Sequence, residues 1–193
     1  MVSVNFKLPF FNIPKVPEDT SPVKIGEFLA TVKDNFDSFR KGDAISLDLF
    51  QKINGRKTNV DVFDRTNKVG ILEFSEYKSI FFIDNLANEY KAKIKGIGTA
   101  FLQFMAEKSL INNKQLELCA FNAHNPPAMF YLKAGFIPTE RTDYEQIVNQ
   151  GVTTINNVDM ISTDNIFLVF KDRILNNPFF QESVEKLKAK IKE

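Results

Sequence analysis

The chain has 193 residues, 44% of them hydrophobic, with 20 phenylalanines, no tryptophan and a formal net charge of +1. This length fits one domain with a substantial core, and the composition is typical of a globular chain and not of a disordered one. The near-neutral charge gives no indication of binding to nucleic acid or to an anionic membrane surface.

The first part of the chain is predicted to be an extended segment followed by two helices. Four prolines near the amino terminus favour an extended chain with one edge strand near Val4–Phe10. Ser21, followed by a proline, is a favourable helix start, and apolar residues then recur at helical spacing until Gly42. A second, short helix is predicted from Ser46 to Asn54.

Strands dominate the middle of the chain. Residues alternate over Asn59–Arg65, and after a turn Val69–Tyr77 is predicted to return as the second strand of an antiparallel hairpin. Ile80–Leu86 is a nearly continuous apolar run, typical of a strand buried on both faces. A helix is predicted to begin at Gly98, and a further strand covers Gln115–Phe121.

The last part is predicted to contain two more strands separated by an insertion. One strand lies near Gly135–Thr139, and the polar segment Glu140–Asp164 follows, with a helix at Tyr144–Asn149. This segment either covers a substrate mouth or is an ordinary surface excursion. The final strand is predicted at Asn165–Lys171, and residues 176–193 form an amphipathic helix that packs on the domain.

These boundaries give one domain over residues 1–175, with a core region at 80–138 and the helix 176–193 added to it. A single cysteine excludes an intramolecular disulfide and favours a reducing compartment. No apolar run approaches the roughly 20 residues that a membrane span needs, and the amino terminus lacks a signal-peptide pattern. We therefore expect a cytoplasmic protein.

A glycine-rich turn precedes the helix that begins at Gly98. Gly96 and Gly98 let the backbone approach a ligand closely, and the free N–H groups of the helix start favour an anion. Thr99 adds a hydroxyl, and Lys93 and Lys95 add positive charge. A phosphate or pyrophosphate suits such a turn, although plain strand-to-helix punctuation would give the same pattern. The dinucleotide-binding Gly-x-Gly-x-x-Gly pattern is excluded, because a phenylalanine stands at its third glycine position.

A second motif follows the next strand, and the two together resemble the GNAT family of acyl-CoA N-acyltransferases. The first motif is Lys93-x-x-Gly96-x-Gly98, and the second is Phe130-Tyr131-x-x-x-Gly135-Phe136. The sequence departs from the family pattern in three places. Lys93 stands where Gln or Arg is usual, Ala87–Ala92 is about two residues longer, and the stretch from Asn125 to Tyr131 is one residue shorter. The resemblance implies an α/β fold with a mostly antiparallel, splayed mixed sheet flanked by helices.

The resemblance also implies a reaction, the transfer of an acetyl group from acetyl-CoA to a primary amine by direct attack in a ternary complex. It places the cofactor pyrophosphate on the turn, a carbonyl-polarising N–H near Leu86, and the general acid at Tyr131. Asn125, with the two prolines after it, is predicted to start a short helix that carries Tyr131, and its side chain either binds the pantetheine arm or caps this helix. The cofactor-binding positions of the turn are Lys93, Ile94, Lys95, Gly96, Ile97, Gly98 and Thr99.

The group that takes the proton from the amine is less defined. Glu117 is the first candidate base, because in the family that the chain resembles carboxylates at this position along the fifth strand border the gap between the splayed strands. Glu73 and His124 are the other candidates, and for each of the three an exposed or capping role is the competing interpretation. Cys119 is interpreted as a small buried hydrophobic residue. One cysteine and one histidine do not indicate a metal site, so no metal is expected.

Three functions are compatible with these motifs. The first is an acetyl-CoA-dependent N-acetyltransferase, acting on a small-molecule amine or a protein amine. The second is a catalytically degenerate acyl-CoA-binding or protein-interaction module of the same fold. The third is an unrelated α/β domain with a chance match, which would not bind coenzyme A. The acceptor and the oligomeric state are not indicated by the sequence, and neither nucleic acid nor membrane is expected as a partner.

Overall fold

The computed structural model describes residues 21–32, 44–89, 94–122, 127–166 and 169. Within these residues nine strands form one sheet, in the order β6-β1-β2-β3-β4-β5-β7-β9-β8, with three α-helices beside it. The strands are β1 (Val23–Val32), β2 (Ala44–Asn54), β3 (Lys57–Asp64), β4 (Asn67–Glu76), β5 (Ile80–Asn88), β6 (Ile94–Lys95), β7 (Gln115–Ala120), β8 (Phe136–Pro138) and β9 (Val158–Ser162). The helices are α1 (Ile97–Asn112), α2 (Ala128–Lys133) and α3 (Arg141–Tyr144), and α3 continues into a π-helical turn, Glu145–Asn149.

The sheet is mixed and mostly antiparallel, as predicted. Strands β1 to β5 follow one another as antiparallel neighbours, so each pairs with the next along the chain. The chain then crosses through α1 and returns as β7, which is parallel to β5. Strands β9 and β8 extend the sheet with antiparallel pairing. The α/β class predicted from the sequence is therefore confirmed.

The prediction of two helices before the hairpin is wrong, because both segments are strands. β1 replaces the helix predicted from Ser21, and β2 replaces the helix predicted from Ser46. The two strands pair with each other from Val23–Gln51 to Thr31–Ala44, so their stability comes from non-local hydrogen bonds. Propensity is a weak prior that such tertiary pairing overrides.

The predicted final strand is also wrong. The strand that closes the sheet is β9, inside the segment predicted as an insertion, and it pairs with β7 on one side and β8 on the other. Its buried positions alternate, with Val158, Met160 and Ser162 on the core side. Asn165, where the predicted strand would start, is helical. The alternation in β9 is short and partly polar, so the more apolar run that follows it attracted the prediction.

The remaining elements agree with the sequence to within a few residues. β3, β4, β5, β7, β8, α1 and α2 lie where strands and helices were predicted, and the predicted helix at Tyr144–Asn149 corresponds to α3 with its π-helical turn. The predicted edge strand Val4–Phe10 and the tail helix 176–193 lie outside the described residues. The domain limits 1–175 therefore stay a prediction.

Helix α1 packs on the sheet and carries much of the core. Phe101 and Phe104 are almost fully buried, and the ring centroids of Phe104 and Phe74 are 6.4 Å apart. Phe74 in turn meets Phe81 edge to face at 5.8 Å. Burying each such side chain contributes about 2–3 kcal/mol, so this cluster fixes α1 against β4 and β5.

Two of the buried polar residues on α1, Gln103 and Glu107, lie one helical turn apart. Gln103 donates a hydrogen bond from Nε2 to Oε1 of Glu107 at 3.0 Å, and both side chains are buried. Burial raises the pKa of Glu107 to about 7, and the hydrogen bond from Gln103 works in the opposite direction. Within the described residues, Oε2 of Glu107 has no hydrogen-bond partner.

Local backbone conformation explains where α1 begins and ends. Gly96 precedes the helix with φ of 94°, a left-handed conformation that favours glycine. Asn113 follows the helix in the same region, with φ of 52°, and its N–H donates to the Leu110 carbonyl. Among the residues described, no helix is long and apolar enough to cross a membrane.

Candidate active site

The parallel strands β5 and β7 separate part-way along their length. They pair from Ile80–Gln115 to Ile83–Leu118, and then each strand continues without the other. Beyond this point β5 keeps β4 as its neighbour, and β7 keeps β9. A gap therefore opens between the carboxyl-terminal ends of two adjacent parallel strands, which is where open α/β sheets bind ligands.

A β-bulge lies in β5 directly after Ile83, the last residue of this strand that pairs with β7. The register with β4 shifts between Phe74–Ile83 and Glu73–Asn85, so Asp84 is the extra residue. The Ser75 hydroxyl donates to Oδ2 of Asp84 at 2.7 Å and holds this extra residue. Simple alternation from Ile83 would turn Leu86 away from α1, and the bulge restores it to that face. The two consecutive polar residues at 84 and 85 were the sequence signal for this feature, which the prediction of a continuous buried strand missed.

The backbone N–H of Leu86 points into the gap. The Glu89 N–H donates to the Val69 carbonyl at 3.0 Å, so the N–H of Glu89 is directed toward β4. Because backbone groups alternate along a strand and the register is regular over this stretch, the N–H of Leu86, three positions earlier, is directed away from β4. Pairing with β7 has already ended there. Within the described residues this N–H therefore has no strand partner, and it can donate to a group that enters the gap.

The glycine turn lies beside the same gap, at the start of α1. The first helical hydrogen bond runs from the Ala100 N–H to the Gly96 carbonyl, so the N–H groups of Ile97, Gly98 and Thr99 have no acceptor within the helix. Gly96, the residue at the cap position, has no side chain that could satisfy them. The open N–H groups and the positive end of the helix dipole suit an anion.

Two residues of the predicted anion turn have an additional role. Ile94 and Lys95 form β6, the short strand that pairs with Val32 and Thr31 of β1. The Ile94 carbonyl also accepts a hydrogen bond from Nδ2 of Asn88 at 2.8 Å. The turn is thereby tied to the edge of the sheet and to the end of β5.

Gly98 is the point at which three elements meet. A Cβ atom built on Gly98 would lie 3.3 Å from Cζ of Phe130 and 3.4 Å from Cδ2 of Leu86. The first side chain belongs to α2 and the second to β5. The sequence analysis named Leu86, Gly98 and the pair Phe130-Tyr131 from separate parts of the chain. The fold brings Leu86 and Phe130 together at Gly98.

Tyr131 is held by aromatic rings on two sides. Its ring centroid is 5.2 Å from that of Phe130 and 5.8 Å from that of Phe136, and only 7% of the residue is exposed. Burial raises the pKa of Tyr131 to about 12, so the phenol is protonated throughout the physiological range. Its hydroxyl makes no hydrogen bond to a described residue. A neutral phenol with an unused proton is what a general acid requires.

The candidate bases lie on the opposite face of the sheet from α1. In β7 the buried residues Leu116 and Leu118 face the core, so Glu117 between them faces the other way. It is half-buried, lies one position before the strands separate, and has no hydrogen bond or ion pair to a described residue. Glu73 occupies the same face on β4, where Oε1 accepts a weak hydrogen bond from Asn59 at 3.4 Å.

The structure corrects the prediction for one side chain and does not describe three other residues of the predicted site. Cys119 is exposed, not buried, because it faces the same side of β7 as Glu117. Partial desolvation and the neighbouring Asp159 raise the pKa of its thiol, which disfavours the thiolate form. Lys93, His124 and Asn125 lie outside the described residues. Over the described ranges, no group of three or more His, Cys, Asp or Glu side chains could hold a metal ion.

Comparison with known proteins finds similarity at the level of structure alone. No protein-family model matches the chain, and no curated protein matches it. Tetrahymena GCN5 is 17% identical over 56% of this chain and 69% of its own, with a TM-score of 0.42. An acyl-CoA N-acyltransferase from Pseudomonas aeruginosa is 12% identical over 58% of this chain and 72% of its own, with a TM-score of 0.41.

A GNAT family acetyltransferase from Elizabethkingia anophelis, solved with acetyl-CoA bound, is 20% identical over 55% of this chain and 73% of its own, with a TM-score of 0.40. The chain resembles GNAT acetyltransferases in its fold. This is the family that the two motifs resemble.

Proposed function

We propose that the protein is an acetyl-CoA-dependent N-acetyltransferase that acts on a primary amine. The observation that carries this proposal is the contact of Leu86 and Phe130 at Gly98, beside a gap between parallel strands. In support of the proposal, this contact links the start of α1 with its open N–H groups, the strand that carries the Leu86 N–H, and the residue next to the Tyr131 phenol. Each of these groups corresponds to one task of acyl transfer from a thioester.

The residues present fit coenzyme A. The open N–H groups of Ile97, Gly98 and Thr99 would hold the pyrophosphate at the positive end of the helix dipole. When bound, acetyl-CoA supplies an acetyl group on a thioester. The N–H of Leu86 is directed into the gap, where it can stabilise negative charge on a carbonyl oxygen.

Proton movements are assigned to two faces of the sheet. Tyr131, on the α2 side, donates a proton to the sulfur as it leaves. Glu117, on the opposite face, takes the proton that the amine must lose, directly or through water. Glu73, also on that face, is the second candidate for this role. The proposal also places the protein in the cytoplasm and leaves open whether the amine belongs to a small molecule or to a protein.

The first experiment is thermal unfolding with acetyl-CoA, with adenosine as the control, followed by a thiol-release assay over a panel of amines. A ligand that binds only the folded state raises the melting temperature by mass action. A rise with acetyl-CoA together with thiol release supports the enzyme. A rise without release from any amine supports the degenerate binding module, and no rise at millimolar ligand overturns both.

Two charge variants locate the binding site. Thr99→Glu adds a carboxylate at the start of α1, where it favours the helix but repels a pyrophosphate, so we expect acetyl-CoA affinity to fall about tenfold. Thr142→Glu adds the same charge at an exposed position on α3 and serves as the matched control. Equal affinity in the two variants would place the cofactor somewhere other than this turn.

A further inference from the structure

The two glycines of the turn are required for different reasons. Gly96 has φ of 94°, a conformation that other residues rarely adopt. Gly98 lies within α1 and has no positive φ, so its backbone does not require glycine. A glycine inside a helix costs about 1 kcal/mol relative to alanine. Something other than backbone conformation must explain the residue at 98.

The explanation on the α2 side is the ring of Phe130. A Cβ at position 98 would lie 3.3 Å from Cζ of Phe130, which is closer than carbon atoms ordinarily pack. The 3.4 Å contact with Leu86 is an ordinary van der Waals distance. An alanine at 98 would therefore press on the Phe130 ring, which would have to give by a few tenths of an ångström. Phe130 is 39% exposed, so it is free to move toward solvent.

Displacement of Phe130 reaches Tyr131 directly. The two residues are consecutive on α2, a helix of six residues, and their rings meet edge to face at 5.2 Å. No hydrogen bond to a described residue holds the Tyr131 hydroxyl, so ring packing fixes its position. Phe136 supports the ring from another side, at 5.8 Å.

We propose that Phe130 is a positioning residue: seated in the space that Gly98 leaves, it sets the place of the Tyr131 hydroxyl. Gly98 thereby couples the cofactor turn to the proton donor. This inference rests on the proposed function, since it assigns Phe130, the first residue of the aromatic pair, a part in the same reaction. A misplacement of a catalytic group by a fraction of an ångström is enough to lower turnover substantially.

The test is a double-mutant cycle with Gly98→Ala, Phe130→Leu and the two combined. Alanine keeps the N–H at position 98, so acetyl-CoA affinity should change less than about threefold while kcat falls about tenfold. Leucine at 130 lacks the outer ring atoms that a Cβ at position 98 would meet. Gly98→Ala should therefore have no further effect on kcat in that background. Equal losses in both backgrounds would overturn the proposal, and so would a loss of affinity without a loss of kcat.

A second readout needs neither ligand nor turnover. The ring carbons of labelled tyrosine give one NMR signal set for each of the 4 tyrosines, and Tyr131→Phe identifies the set that belongs to Tyr131. Gly98→Ala should shift that set, and Phe130→Leu should abolish the effect of alanine. If wild type fails to bind acetyl-CoA, the proposed function fails while this arm still tests the contact. An unshifted Tyr131 signal in a folded Gly98→Ala protein would overturn the coupling alone.

Discussion

Ser75 donates a hydrogen bond to Asp84 at 2.7 Å, and this bond holds the extra residue of the bulge in β5. Ser75 is buried on β4, whereas Asp84 is exposed at the point where β5 loses its parallel neighbour. The bond thus connects the regular part of the sheet to the strand end that presents the Leu86 N–H. Removing it should disturb the gap without removing any group that would touch a substrate.

We expect Ser75→Ala to lower kcat about threefold to tenfold and the free energy of unfolding by about 1 kcal/mol, because the bulge loses its hydrogen bond. Steady-state kinetics and urea unfolding measure the two effects. Ser79→Ala, at an exposed serine in the β4–β5 turn, is the control. A variant as active as the control would separate the bulge from the reaction.

Replacing Tyr131 by phenylalanine removes the phenolic proton and keeps the ring between Phe130 and Phe136. We expect kcat to fall about a hundredfold or more, with acetyl-CoA affinity changed less than about threefold. Tyr144→Phe, at an exposed tyrosine of α3, is the control for loss of a hydroxyl. Unchanged turnover would mean that water or another group protonates the sulfur.

The Gly-Phe part of the second motif is predicted to act through stability. Gly135 has φ of 98°, and a Cβ there would lie 2.6 Å from Cα of Ile166. We expect Gly135→Ala to lower the free energy of unfolding by about 3 kcal/mol or more. Gly151 also has a positive φ, 71°, with nothing within 4 Å of its Cβ position, so Gly151→Ala reports the backbone strain alone. Equal losses in the two variants would show that the contact with Ile166 contributes nothing.

Glu107 should make stability depend on pH. Below its ordinary pKa of 4.5 the carboxyl is protonated in both the folded and the unfolded chain. As the pH rises toward the folded pKa of about 7, the unfolded chain releases its proton first, so stability falls and the loss is complete above that pH. The size of the loss is about 3 kcal/mol.

Glu107→Gln keeps the shape and cannot ionise, so its stability relative to wild type should rise by about that amount between pH 4.5 and pH 8. Urea unfolding across this range measures it. Glu140→Gln, at an exposed carboxylate, should follow wild type throughout. Parallel curves for wild type and Glu107→Gln would show that Glu107 ionises normally.

Local patterns predicted the elements around the site and failed where pairing was distant. The turn at Gly96, the apolar run of β5 and the aromatic pair before Gly135 are contiguous in sequence, so their spacing was readable. In β2, Leu47 and Leu49 are buried and alternate with the less buried Asp48 and Phe50, which is a strand pattern. The helical spacing counted there ignored this alternation, and the buried Gln51 further obscured it.

The bulge and the contact at Gly98 could not be predicted from the sequence, for a different reason. Asp84 and Asn85 interrupt the apolar run, but their effect on the direction of Leu86 depends on the register with β4. The 3.3 Å approach of Phe130 to position 98 depends on how α2 returns to α1. A family motif identifies such residues, and only three-dimensional packing says what each one touches.

The separation of β5 from β7 makes this sheet mechanically uneven. In the part of the chain that the structure describes, six strands ending at β5 meet three strands starting at β7 through four residue pairs. At the end where the two strands pair, Lys114 links the two parts of the sheet. Its Nζ donates to Oε1 of Glu76 and to the Tyr77 carbonyl, each at 2.6 Å. Among the described residues, no backbone pair joins β5 and β7 beyond Ile83–Leu118. A molecule that enters the gap from the carboxyl-terminal ends of the strands therefore has no pairing between them to break until it reaches that pair.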